Sequence, residues 1–301
     1  RRVPLRPVST LGSGPAAWVA HSPITDPGRH APLLDAVPAD PSEVCRVVAG
    51  HVSHYVASGL SFSRERRAEL DLRGVEDMLG AILARDPAPL DVPRAPEQRL
   101  VGCCRDLTVL AVAALRHHGV PARSRVGFAG YLGEGFWYDH VVLEHFDGVR
   151  WVRADPQLPP VHAGLDMRDL DPGAFRTAAQ VWLDHRAGRI DEEQILDFGA
   201  GPELPFAGAY YVRNYVLLEL AHLAGVETLL WDTWGAMLTR PLRRSDDHGL
   251  VDRVAEVLLD PDVPLDVLRE LLTEPGLDPR RGARILVSPS GVVGQEVQIP
   301  G

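Results

Sequence analysis

The sequence contains no lysine: all 31 of its cationic side chains are arginine. A GC-rich coding bias, in keeping with the abundant Ala, Gly and Pro, accounts for this without functional meaning. There is no surplus of positive charge either. The net charge of −10 argues against nucleic acid as a partner, because phosphate binding calls for a basic surface. No apolar run approaches the roughly 20 residues that cross a bilayer, so no membrane span or membrane partner is expected. The opening residues, Arg1 to Arg6, are basic but lack the apolar stretch of a secretory signal. Cysteine is scarce. Three residues, two of them adjacent, make no disulfide framework, which points to a reducing compartment and a cytoplasmic location. No internal repeat or low-complexity tract is present.

What is present divides into three parts. The length of 301 residues suits one large domain or a domain with an extra lobe. Residues 1–40 are rich in Pro, Gly and Asp without periodicity and read as an irregular arm. Asp40-Pro41-Ser42-Glu43 marks a helix start, and Val44, Val47, Val48, His51 and Val52 carry helical spacing toward residue 56. On that helix His51 and His54 could share a metal, but nothing nearby completes a ligand set, so packed or solvated histidines are the expectation. A second helix spans 73–85 and a third runs from 104 to 118, closing at Gly119 before Pro121. Strands follow at 122–127, 138–146 and 149–154, the last two joined by the hairpin signal Asp147-Gly148. Helices return at 172–186, 206–224, 250–259 and 265–272, with a short strand at 285–287. The order of helices, small antiparallel sheet and helices is an α+β arrangement. Residues 41–160 are expected to form the core, and 161–301 a helical extension packed on it.

One constellation carries chemistry. Gly102-Cys103-Cys104-Arg105-Asp106 opens the third helix, His140 lies on a strand, and Asp155 follows Trp151-Val152-Arg153-Ala154 on the next. An ordinary thiol, with a pKa of roughly 8.5, is mostly protonated at neutral pH. The unpaired N–H groups at a helix start favour the thiolate, and a neighbouring imidazole can take the proton. Cys104 has the first device by position and can gain the second from His140, with Asp155 fixing the ring. Counting outward from Asp147-Gly148 places His140 and Asp155 directly opposite each other. Such residues have Cβ atoms about 4.5–5.5 Å apart. A slip of one residue would separate them.

The plainer reading of Cys104 is a small buried hydrophobe; the ordered His and Asp favour catalysis. Cys103 is expected to pack. Zinc binding by the cysteine doublet with His117, His118 or His145 lacks the usual Cys spacing. His145 is expected on the surface and Asp139 at a strand edge. Asp106 is expected to cap the helix or pair with Arg123. Trp137 and Tyr138 flank the base and are candidate walls of an acyl pocket. The oxyanion hole needs the Cys104 N–H and a further donor that the sequence does not name.

The chain resembles the transglutaminase-like superfamily, whose core is papain-like. The resemblance rests on Gly102 to Asp106, on Arg116-His117-His118-Gly119-Val120-Pro121-Ala122-Arg123, on His140 and on Trp151 to Pro156, in that order. It implies a helix with an N-terminal Cys packed on a small antiparallel sheet. It also implies Cys104 as nucleophile rather than Cys103, with His140 as base and Asp155 as orienter. Residues 205–238 are similar to one bacterial branch of the superfamily in Tyr210 to Asn214, Glu227 and Trp231 to Gly235, with a polar pair replaced at Leu218-Glu219. Across the superfamily an acyl-thioester forms on Cys and passes to water or an amine. A lysine-free surface would then offer no competing acceptor. The expected activity is thiol-dependent acyl transfer on an amide or thioester carbonyl, ending in hydrolysis or transfer to an amine. Alternatives are an amide-forming tailoring enzyme that uses a carrier-bound acyl group, and a catalytically silent module that binds a peptide or carrier protein. The substrate would be a small molecule, a peptide or a carrier-bound acyl group. No cofactor and no metal are expected.

Overall fold

The computed structural model describes residues 14–243 and 245–301. The arm expected over residues 1–13 lies outside them. From Gly14 to residue 40 the chain does lie over the core, in two short 3-10 turns, Pro15–Trp18 and Gly28–Ala36. Trp18 is buried there and donates its indole N–H to Leu223 O at 3.1 Å.

The fold is α+β. Helix α1 (Pro41–Ala49) starts where expected, with Asp40 Oδ1 accepting from Glu43 N at 3.0 Å. It ends at Gly50, not near residue 56. Val52–His54 is instead strand β1, paired in parallel with β2 (Leu100–Gly102). A short helix, α2 (Arg64–Arg67), and α3 (Val75–Arg85) lie between these strands. Helix α4 (Cys104–His117) follows β2 directly and is buried through nearly all its length. At its far end Gly119 adopts φ +77°, the left-handed cap that the sequence indicates.

The antiparallel sheet is built on β3 (Ala122–Ala129), β4 (Trp137–Phe146) and β5 (Trp151–Ala154). The small hairpin β6 (Val161–His162) and β7 (Leu165–Asp166) comes next. Strand β8 (Phe175–Thr177) then adds to the far side of β3, and β9 (Phe198–Gly199) pairs in parallel with β4. The helix expected over 172–186 is therefore shorter, α5 (Ala178–Arg186), because its first residues join the sheet. Residue 160 is no boundary for the sheet, which draws two strands from beyond it. Gly127 shows why β8 fits: a Cβ there would lie 2.2 Å from Arg176 O and 2.9 Å from Thr177 Cα.

Helices α6 (Ala209–Leu223), α7 (Gly249–Leu258) and α8 (Leu265–Leu271) complete the far side. A ribbon of β10 (Asp232–Thr233) and β11 (Arg284–Ile285) closes it. One apolar cluster joins Val126, Phe128 and Val141 of the sheet to α5, α6 and α7; a second joins α4 to α1 and α3. The sheet also carries a buried ionic lattice. Glu144 accepts from Arg123, Arg125 and Arg153 at 2.7–3.0 Å, and Arg125 reaches on to Glu219 of α6 at 2.8 Å. Each positive fork has a carboxylate, so the lattice ties α6 to the sheet without an unpaired buried acid. Among the described residues no helix is long and apolar enough to cross a membrane.

Candidate active site

Cys104 is the first residue of α4, and the residues before it leave no freedom in its placement. Cys103 N donates to Asp106 Oδ2 at 2.8 Å, closing the first turn. Arg105 holds the other oxygen at 3.1 Å. Asp106 is thus a cap, as expected, but its cation is Arg105; Arg123 belongs to Glu144. Gly102 is required because a Cβ would stand 2.8 Å from Val52 Cγ1 and 2.9 Å from Asp106 Oδ2.

His140 Nε2 bonds Asp155 Oδ2 at 2.8 Å. The hairpin register is not the one counted from the sequence. Phe146 pairs with Trp151 and Leu143 with Ala154, so the strand register sets Asp155 beside Val142 rather than His140. The cause is the turn. Asp147 Oδ1 accepts from Val149 N and Arg150 N, both at 2.8 Å, and Gly148 takes φ +100°, so the loop holds four residues instead of two. The displacement is two residues, an even number, which keeps both side chains on one face. They meet diagonally, and Asp155 lies just past the end of β5. Tyr131 OH donates to the same carboxylate oxygen at 2.8 Å, and Gln157 N to the other at 2.8 Å.

The electrostatics suit a thiolate–imidazolium pair. A hydrogen bond from Cys103 and the charge of the His140 ring hold the Cys104 thiol well below its ordinary range, against burial. Burial pulls His140 down, yet the charges of Asp155 and Cys104 more than reverse this, and the ring titrates well above its ordinary value. Asp155 is held below its usual range: His140, Gln157 N and Tyr131 outweigh its burial. Since Asp155 occupies Nε2, Nδ1 is the nitrogen left for Cys104. The bond to Cys104 raises the Cys103 thiol, with burial adding to it, and burial pushes Cys45 up to about 12. Cys104 is the thiol placed to ionise.

A cavity of about 400 Å³ opens on Cys104, His140 and Tyr138. Trp137, the other expected wall, is not there: it stacks on Phe198 at 5.5 Å and lines a separate depression with Arg176. Asp139 is not a bare strand-edge acid; it faces the cavity bonded to Tyr211 and Tyr215. His145 is buried, not on the surface.

Sequence reasoning missed His54. As the last residue of β1 it is brought beside the Cys104 end of α4 by pairing with Gly102. Its Nδ1 accepts from Val56 N and Ala57 N, both at 3.2 Å. That fixes the neutral tautomer with the proton on Nε2, and burial, the largest influence, lowers its pKa in agreement. The ring lines the same cavity as Cys104. His51 does not share its surroundings, bonding Leu90 O and Arg94 instead. His117 and His118 bond Asp35 and Leu34 O at the far end of α4. No described cluster of His, Cys, Asp or Glu could hold a metal.

The motif residues of the C-terminal half act mainly as braces. Asn214 exchanges two hydrogen bonds with Leu238, Arg213 reaches Ala236 O, and Glu227 takes Ser22 Oγ at 2.7 Å. Asp232 binds Arg73 through two oxygens, and Trp231 reaches Asp71 at 3.0 Å. These bonds set Trp231, Asp232 and Asn214 as a wall of the cavity opposite the sheet.

Comparison with known proteins agrees with this core. Residues 83–156, which hold Cys104, His140 and Asp155, match the family model of the transglutaminase-like superfamily. The superfamily's type is cysteine-dependent acyl transfer or hydrolysis. A solved structure of a candidate cysteine protease from Cytophaga hutchinsonii aligns at 17% identity and TM-score 0.34, over 54% of this chain and 44% of that one. A likeness of that size carries no argument. The chain thus spans less than half the length of that protein. No curated protein matches.

Proposed function

We propose that the chain is a cysteine-dependent acyl-transfer enzyme that attacks an amide or thioester carbonyl through Cys104. The observation that carries this reading is the Cys104–His140–Asp155 relay opening onto a cavity of about 400 Å³. The thiolate adds to the carbonyl carbon, and the carbonyl electrons move to oxygen. Two donors meet that oxyanion: the Cys104 N–H, unpaired at a helix start, and Nε2–H of His54. His140 passes its proton to the departing amine or thiol as the old bond breaks, leaving acyl-Cys104. The neutral ring then takes a proton from water or an amine, which attacks the thioester and returns the thiolate. Asp155 stays ionised and holds the ring.

Joining a carrier-bound acyl group to an amine is one version of this cycle, and peptide or small-molecule amide hydrolysis is another. A catalytically silent module would call for a sulfur sealed from the ring and from solvent; the position of Cys104 against both favours the enzyme. Intact-mass spectrometry of the protein with amide and thioester libraries tests the proposal. A stable acyl adduct is expected on Cys104 and none on Cys104→Ala. Adducts that survive this change, or that map to Cys103 or Cys45, would overturn it.

A further inference from the structure

The relay leaves one group in the cavity without a task. Asp139 precedes His140 on β4, and its Oδ2 accepts from Tyr211 OH at 2.9 Å and from Tyr215 OH. The two phenols touch each other at 2.8 Å. No described residue donates to Oδ1, and no described Arg or His pairs with the carboxylate. The other acid of the cavity, Asp232, is already neutralised by Arg73. An uncompensated carboxylate in an apolar enclosure is costly unless a ligand compensates it.

The surrounding charges sharpen this. A thiolate at Cys104, Asp155 and Asp139 together face a single imidazolium at His140. His54 is held neutral, and Tyr55, Tyr211 and Tyr215 titrate above the ordinary phenol range through burial. Burial, with the nearby Cys104 charge, raises Asp139 to about 6, so at neutral pH it is an anion waiting for a partner. Much of the rest of the wall is apolar or aromatic, including Phe206, Tyr210, Met237 and Leu286, with Gln157, Asn214 and Thr233 as neutral polar members. A carboxylate in a cavity with apolar and aromatic walls suits a cation attached to a hydrophobic body.

We infer that Asp139, Tyr211 and Tyr215 form a cation subsite beside Cys104, which takes the ammonium group of a substrate with an apolar body. The inference builds on the acyl-transfer reading and adds a substrate class to it. The ammonium can belong to the acyl donor or to an attacking amine. As acceptor, the ammonium gives one proton to Asp139; the neutral amine then forms the C–N bond, yields its second proton to the neutral His140 ring, and the C–S bond breaks to return the Cys104 thiolate.

Calorimetric titration of the full chain at pH 7.5 with 2-phenylethylammonium and with 2-phenylethanol tests the subsite apart from catalysis. The ammonium is expected to bind roughly tenfold or more tighter, and the ratio to fall to about one in Asp139→Asn. Equal binding of the two probes by the unaltered protein, binding of neither, or a preference that survives Asp139→Asn overturns the inference. The unaltered protein decides the question even where the variant fails to fold. Acylation by thioesters with and without an ammonium group, and deacylation by the amine against the alcohol, then separate donor from acceptor. No Asp139-dependent acceleration in either arm also overturns it. Failure of Cys104 to acylate with any thioester would count against the acyl-transfer reading instead, leaving the calorimetric result to stand for the subsite.

Discussion

Replacing Asp155 by Asn tests the relay at its most constrained point. The carboxylate accepts three hydrogen bonds, from His140 Nε2, Tyr131 OH and Gln157 N, all at 2.8 Å, and donates none. His140 is 2% and Asp155 1% exposed, so water cannot substitute for a lost partner. An Asn has one accepting oxygen. Turned toward His140 and Tyr131, it sets its amide against the Gln157 N–H; turned the other way, it sets donor against donor at the ring. The first is the milder choice and still removes the charge that holds the imidazolium. A hydrogen bond to a charged group is worth roughly 1.5–3 kcal/mol. Loss of about 2–3 kcal/mol, at 1.36 kcal/mol per tenfold, weakens the thiolate–imidazolium pair about 30- to 150-fold. At pH 6 an ordinary thiol is only about 0.3% ionised, so iodoacetamide alkylation there reads the pair almost alone. The expected result is a fall in the Cys104 alkylation rate at pH 6 of about two orders of magnitude, narrowing as the pH approaches 9. A folded Asp155→Asn protein whose rate at pH 6 stays within a factor of about two would refute the reasoning.

His54→Ala should slow acylation by about 10²–10³-fold while leaving alkylation by iodoacetamide, which forms no oxyanion, nearly unchanged; His54→Gln, which restores a donor, should recover part of the loss. Equal effects on both reactions would show His54 to be packing alone. Gly102→Ala should destabilise by about 1–3 kcal/mol in a denaturant titration, because its methyl meets Val52 and the capping Asp106. Glu144→Ala should cost about 3–5 kcal/mol, since it strips Arg123 and Arg153 of their shared carboxylate. The three arginines hold Glu144 well below its usual range against burial. Its folded value is the lower one, so its stabilising share is present above about pH 4.3 and is lost as the pH falls below that. Glu144→Gln should therefore show a flatter acid limb than the unaltered protein.

The legible parts of the chain were those written in local signals. Helix α4 announces itself through Gly102 before it, Asp106 in its first turn and Gly119 beyond it. The order of Cys104, His140 and Asp155 is also local information. The hairpin register was not fully legible, because the Asp147 side chain decides the loop length, and a turn dipeptide does not reveal which N–H groups its carboxylate will take. Strand β1 was hidden for another reason. Val44, Val47, Val48, His51 and Val52 continue a helical period, and only the edge offered by Leu100–Gly102, 48 residues on in register, makes the strand the better choice. His54 could not be placed in the site without that pairing. The three-residue strand β8 is likewise too short to leave a period. Arg123, Arg125, Glu144 and Glu219 look like solvated charge until three segments, β3, β4 and α6, bring them together in the interior.

The ribbon of β10 and β11 has a consequence for how such a protein can diverge. Leu286, Val287 and Pro289 form cavity wall, and the loop that carries them is tethered by Ser288 and Ser290 to Asp71. None of these residues bonds to Cys104, His140 or Asp155. Substitutions there reshape the chamber while Cys104, His140 and Asp155 keep every partner they have, so change in this wall is uncoupled from the trio proposed to react.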